Sequence, residues 1–425
     1  MQFINHTPFP ALAFAGVDQR GQAFHVVALR QTLTWNETGK LVFADQQEPL
    51  CESDEFFGED LQGSVRQESD LCPYKPRCDV IVNASAHPPH ARNGKPQSRF
   101  AVRLEVRRSA SECLIDKTLT VTGARSFVRR PGLLRLSAAL VKLGTLGMVG
   151  PPSWRLTTPG SVQTVPVRLE QAFGGQCRIE ADSPVAGKVP KKYRVAPEQG
   201  TARPDAGGTP MAHDAFAANP AGRGFARDWY LDAIGADRVP APQIEYPQHP
   251  VTSSHFIKAC GGKLDAEAPL VAGLGVRPKG YPERAKLVGT VDEHFIHSPA
   301  ALPEDFDFGV WNAAWPDQQT DALRGDEIIE LTNLCAPDTP AASPDALGNH
   351  VLRLALPGHL PFVLVRFENG SIGELAARLD TVLLDPEQNR LTCVWRATMA
   401  PRPQVRALEA RMLTRAEVEQ KAPHG

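Results

Sequence analysis

The sequence has no surplus of positive charge, no CxxC pair and no long apolar run, and each absence removes a class of protein. Its 46 Lys and Arg against 48 Asp and Glu leave a formal charge of -2. That balance offers no basic face to a nucleic-acid backbone and no acidic tail. Eight cysteines are scattered over 425 residues, too thinly for a disulfide scaffold. No run of about 18 uncharged apolar residues occurs, so no membrane insertion through a helix is expected. The first residues carry no Lys or Arg ahead of a short apolar stretch, unlike a secretory signal. The four Asn-x-Ser/Thr triplets, starting at Asn5, Asn36, Asn83 and Asn369, are then chance matches. The expectation is a soluble, reducing, cytoplasmic protein.

Catalytic signatures are missing too. Gly262-Lys263 is followed by Leu264, which breaks a phosphate loop, and Gly273-Leu274-Gly275 runs into Arg277-Pro278, which breaks GxGxxG. There is no GxSxG elbow and no HExxH. No cofactor is expected.

What is present favours β structure. Hydrophobic residues make up 42% of the chain, enough for a sizeable core. Glycine (34) and proline (38) exceed their usual combined share of about 12%, which points to many turns. QAFHVVALRQTLTW reads as a strand, NETGK as a turn and KLVFA as the next strand. DVIVNASAH reads as a buried strand ending at Pro88-Pro89. In SRFAVRLEVRR, Phe100, Val102, Leu104 and Val106 alternate with Ala101, Arg103, Glu105 and Arg107, the period of a half-buried strand. KTLTVTGARSFVRR follows too closely for a crossover helix, so antiparallel pairing is expected. PVRLEQAFGG reads as a strand and turn. VLRLAL, PFVLVRF, LDTVLLD and RLTCVWRATM continue the β pattern, the last two joined by a turn at Pro386 to Asn389.

Two segments read as helix. Residues 132–150 are apolar nearly all round a helix, with Arg135 and Lys142 on one narrow stripe. From Gln404 to Lys421, Val405, Leu408 and Met412 share a helical face, and Glu417 and Lys421 form an i,i+4 pair. Residues 182–212 are rich in Pro, Gly and charge and read as a mobile linker or long loop. The expected organisation is a β-rich half over 1–181, the linker, a second β-rich half over 213–400 and a short helical tail over 401–425.

Three groups of residues invite chemistry. Cys72, Cys78, His87 and His90 lie near one another but lack zinc-knuckle spacing, so buried thiols beside a proline-restrained loop are the simpler account. His294 and His297 sit beside Asp292 and Glu293; solvated histidines are again simpler than a metal site. The acids Glu304, Asp305, Asp307, Asp317, Asp326 and Glu327 could serve a two-carboxylate hydrolase if they converged. Their Pro- and Gly-rich setting favours turn fixing instead.

Several strings then line up in order: SDLCPYKPRCDVIVNASAHPPHARNGKP, PVRLEQAFGG, NPAGRGF, GTVDEHF, LPEDFD, NAAWPDQ and LRGDEIIELTNL. Together they resemble a bacterial family labelled as a domain of unknown function and encoded beside type VI secretion spike genes. The similarity runs from about residue 5 to about residue 400. The chain departs from the family pattern at Cys78, at Asn83-Ala84-Ser85, at Gly123 to Phe127, and in the apolar stretch after Arg130, which has the character of an insertion. The resemblance implies an effector chaperone or adaptor that helps load a toxin onto the spike, and no catalytic residue transfers with it. Gly174, Gly175, Gly222 and Gly224 are expected where the backbone needs positive φ or close approach.

The expected fold is mainly β, with antiparallel sheets in two β-sandwich-like halves, long loops and few helices. The expected function is a non-enzymatic type VI adaptor whose partners are an effector toxin and spike-associated proteins. The candidate partner-binding residues are Leu134, Leu140, Val141 and Leu143 in the apolar stretch. The alternatives are a hydrolase built on residues 304–327 and a structural component of the secretion particle.

Overall fold

The computed structural model describes residues 1–58, 63–90, 96–130, 153–195, 210–264, 268–297 and 302–414. The fold is mainly β, with several antiparallel sheets and few helices. The strand Cys78–Val82, with Val80, Ile81 and Val82 apolar, is buried along its whole length, Asp79 included, as an interior strand covered on both faces is. It lies near one edge of a seven-stranded sheet. Across that sheet run Ala11–Val17, Ala23–Trp35, Arg390–Met399, Arg378–Asp385, Cys78–Val82 and Gln319–Thr320, with Leu41–Phe43 also on Ala23–Trp35. All of these pairs are antiparallel except Arg378–Asp385 with Cys78–Val82.

The alternating Arg99–Arg107 strand enters a six-stranded sheet. It pairs with Cys113–Thr122 on one side and Ile328–Thr332 on the other. Phe100, Val102, Leu104 and Val106 turn inward as expected, and Glu105 is buried as well. A four-stranded sheet joins Gln2–Asn5, Val405–Thr414, His359–Phe367 and Ile372–Ala376. Leu29, Val80, Leu104, Leu331, Val363 and Leu408 belong to one core shared by all three sheets. A smaller core centres on Phe256, which stacks on Phe127 at 4.2 Å and meets the edge of Trp154 at 5.0 Å.

Three expectations change. The helix expected over 404–421 is a strand, Val405–Thr414, paired on both sides; residues 415–425 lie outside the described residues. Both large sheets mix strands from before and after residues 182–212, so the two sequence halves do not build separate sheets. Within that expected linker, residues 182–195 include two short 3-10 turns, and Ala186 and Val189 are buried in the smaller core. Strand Pro210–Ala215 then pairs with Gln176–Glu180. The apolar stretch 132–150, with Leu134, Leu140, Val141 and Leu143, lies outside the described residues.

Pairing explains why the terminal segment is not helical. Glu409 accepts hydrogen bonds from Arg366 Nε at 2.5 Å and Arg411 Nη2 at 2.7 Å. These bonds, Arg366 first, hold its carboxyl down to about 2. An unfolded glutamate titrates near 4.3, so the folded state gains from this carboxylate above that value and loses the gain as pH falls toward 2. A Glu409→Gln variant is expected to be less stable than the parent at pH 7, and the gap should close by about pH 2. Urea denaturation across this range measures it; a gap independent of pH would contradict the assignment.

Candidate functional site

The segment Ser69 to Val80 carries an unusual density of ionisable residues for so buried a place. Asp79 is fully buried at the start of an interior strand. Its carboxylate accepts from Lys75 Nζ at 2.9 Å, Ala313 N at 2.8 Å, Asn312 Nδ2 at 3.1 Å and Ala314 N at 3.2 Å. Lys75 also donates to Thr381 Oγ1 at 2.8 Å. Burial works against the Lys75 charge, but Asp79, Cys72 and Asp380 outweigh it and hold the ammonium above its ordinary range.

Two arginines extend the network. Arg30 pairs with Asp70 at 2.8 Å and Glu48 at 3.0 Å. Arg396 pairs with Asp380 at 2.6 Å and donates to the carbonyls of Asp70 and Cys72 at 3.0 and 2.6 Å. The backbone of residues 70–72 is thus pinned to a strand more than three hundred positions away. Nearby, Arg284 is fully buried; it holds Glu68 with two bonds of 2.6 Å and donates to the carbonyls of Arg277 and Val310.

Above the pinned segment opens an apolar cleft of about 360 Å³. Phe24, Tyr74, Phe308, Met399 and Pro401 line it, with Asp18, Gln22 and Thr398 among the polar members. Tyr74 meets Phe308 edge to face at 5.7 Å. Behind the Phe24 ring, Gly16 leaves no room for a side chain, because a Cβ there would fall within 3 Å of that ring and of Pro73. Asp18 Oδ1 is committed to the N–H groups of Arg20 and Gln22. Such a lining can bury an apolar side chain.

The sequence candidates are dispersed among separate structural duties. Cys72 and Cys78 are buried, and burial pushes both thiols up. His90 instead meets His350 edge to face at 4.7 Å. Burial lowers His87, the largest effect on it. No group of three or more His, Cys, Asp or Glu suited to a metal ion occurs among the described residues. Asp305 accepts from Thr290 N and Oγ1, Asp307 from Gly309 N, and Glu327 from the N–H groups of Arg324 and Gly325. These acids fix turns. Asp317 pairs with Lys117 Nζ at 2.8 Å.

Lys117 carries no signal in the sequence beyond being a polar member of a strand. It is buried between the rings of Trp315 and Tyr246, 5.3 and 5.4 Å from their centroids. Burial pushes its ammonium down to about 8 against the pull of Asp317.

The glycine-rich strings clamp each other. Phe173–Gly174 pairs with Arg223–Gly224, and the buried Asn219 donates to the carbonyls of Leu169 and Phe173. At Gly222 a Cβ would stand 2.8 Å from Gly174 Cα, so no larger residue fits the crossing.

The family described as an uncharacterized protein conserved in bacteria (DUF2169) matches residues 20–396. No curated protein matches the chain, and no solved structure does.

Proposed function

We propose, from the premise that the chain belongs to the DUF2169 family of bacterial proteins, that it is a non-enzymatic type VI secretion adaptor. It binds an effector toxin, covers apolar surface on it and assists its loading onto the spike. The resemblance of the ordered strings to a spike-associated family motivates the secretion context. The observation that carries the adaptor reading is the attachment of the apolar segment. Strands Ser126–Arg130 and Ser153–Leu156 pair antiparallel, with Arg130 opposite Ser153. The two described ends, Arg130 and Ser153, therefore lie side by side, and the sequence between them lies outside the described residues. A segment rich in leucine at such a point can serve a partner without being needed by the sheets. The dispersal of the candidate acids among turns and ion pairs supports the same reading.

The test is to replace residues 131–152 with a short glycine-containing hairpin turn. The parent is expected to retain the effector encoded beside it in a pull-down, in a defined ratio. The shortened chain is expected to fold with an unchanged melting temperature and lose that retention. Leu140→Asp with Leu143→Asp should reproduce the loss, since a few apolar anchors carry most binding energy. A shortened chain that fails to fold would make the segment core and overturn the proposal. So would unimpaired retention, or turnover of a substrate by the pure protein.

A further inference from the structure

Strand Ala11–Val17 is the outermost of the seven-stranded sheet and has Ala23–Trp35 on its inner side. Arg30 N donates to Pro10 O at 2.9 Å, and Asp18 N donates to Gln22 O at 3.0 Å. Antiparallel ladders alternate inward and outward backbone groups. These two bonds therefore fix the parity: Leu12, Phe14 and Gly16 turn their N–H and C=O inward, while Ala11, Ala13, Ala15 and Val17 turn theirs outward. No described strand pairs with that outer edge. The strand has none of the usual defences, since it contains no charge, no proline and no bulge. Leu41–Phe43 continues the same edge, because it too pairs with Ala23–Trp35 on the side away from Arg390–Met399. Leu12, Val17, Val42 and Phe43 along this edge are 39%, 37%, 42% and 38% exposed.

We infer that this edge pairs antiparallel with the same edge of a second copy of the chain, about a two-fold axis beside Phe14. The sequence ALAFAGV is complementary to itself in that register. Phe14 stands opposite Phe14 of the second copy, Leu12 opposite Gly16, Ala13 opposite Ala15, and Ala11 opposite Val17. The aromatic ring thus meets its own copy, a favourable cross-strand pair. The outward-facing residues meet outward-facing residues, so each exchanges both backbone hydrogen bonds. No like charges come opposite one another, because the strand carries none. A strand from an unrelated protein would find no charged or polar side chain here to select it. The result is an isologous dimer whose sheet continues across the axis.

Light scattering on the full chain at micromolar concentration tests this. The expected mass is twice 46.2 kDa. Ala15→Pro removes an outward N–H and leaves the inner ladder intact, a position where proline is tolerated; its expected mass is that of one chain, with unchanged circular dichroism. Should that variant fail to fold, Ala15→Lys, at an exposed position, gives the same outcome by placing an edge-blocking charge. In a Cys113→Ser background, which removes the exposed thiol, Phe14→Cys is expected to form a disulfide-linked dimer on mild oxidation. Directly opposite residues of a non-hydrogen-bonded pair lie about 4.5 Å apart between Cα atoms, within disulfide reach. A parent that is monomeric at 100-fold higher concentration, on the order of the millimolar affinity of a non-specific contact, overturns the inference. A dimer that survives both Ala15 variants, or a Phe14→Cys variant that does not cross-link, does the same.

Discussion

Asp79→Ala is expected to abolish cooperative folding. The substitution leaves the Lys75 ammonium buried without its counter-charge. It also strips acceptors from Asn312 Nδ2 and from the N–H groups of Ala313 and Ala314. Breaking a buried ion pair from one side costs about 3–5 kcal/mol, and each orphaned buried donor adds roughly 1–3 kcal/mol. Against a total stability of about 5–15 kcal/mol for a typical domain, that sum removes most or all of the native population. Asp79→Asn keeps the shape and one acceptor oxygen and should fall between variant and parent. The double variant Lys75→Met with Asp79→Leu removes both charges together and should recover part of the loss, because no isolated charge remains. Soluble yield and urea denaturation report the ranking. An Asp79→Ala protein within about 1 kcal/mol of the parent would refute the role given to this carboxylate.

Arg284→Ala ranks second. Arg284 is fully buried and ties Glu68 to the carbonyls of Arg277 and Val310. Its loss strands the Glu68 carboxylate and two carbonyls and opens a space the size of a long side chain. The expected cost is again about 3–5 kcal/mol. Arg284→Lys should recover little, since an ammonium cannot reproduce the two parallel bonds to a carboxylate. Thermal denaturation of both variants distinguishes this from a packing effect: if Lys restored parental stability, the forked geometry would not matter.

These two networks also show where local sequence stops being informative. The strands are legible because their patterns are local: the alternation of residues 99–107 and the apolar run at 80–82 each declare their burial in a few residues. The turn at Pro386 to Asn389 was legible for the same reason, and Asn389 adopts the left-handed conformation there, with φ of 51°. The terminal segment misled because Leu, Ala, Glu and Arg favour helix intrinsically. Pairing with His359–Phe367 and Gln2–Asn5 overrides that preference. Ile372–Ala376 went unseen because an edge strand half exposed to solvent has weak apolar contrast. Asp70, Lys75 and Asp79 stood out as members of a string. Asn312 belongs to another such string, NAAWPDQ, but Asp380 and Arg396 belong to none, and nothing near any of the three records what lies across the core. The acids at 305, 307 and 327 were readable as turn fixers from their Gly and Pro neighbours, whereas Asp317 needed the distant Lys117 to explain it.

The central sheet places Arg390–Met399 directly against Ala23–Trp35. A ribosome must therefore make some 350 residues between the two before that neighbour exists. At roughly 5–20 residues per second, the early strand spends about 20–70 s of translation with one flank uncovered. Nascent chains released before the last strands emerge would carry that open flank with them, so truncated products of this gene should be cleared by proteases or trapped by holdases instead of accumulating as a smaller folded domain.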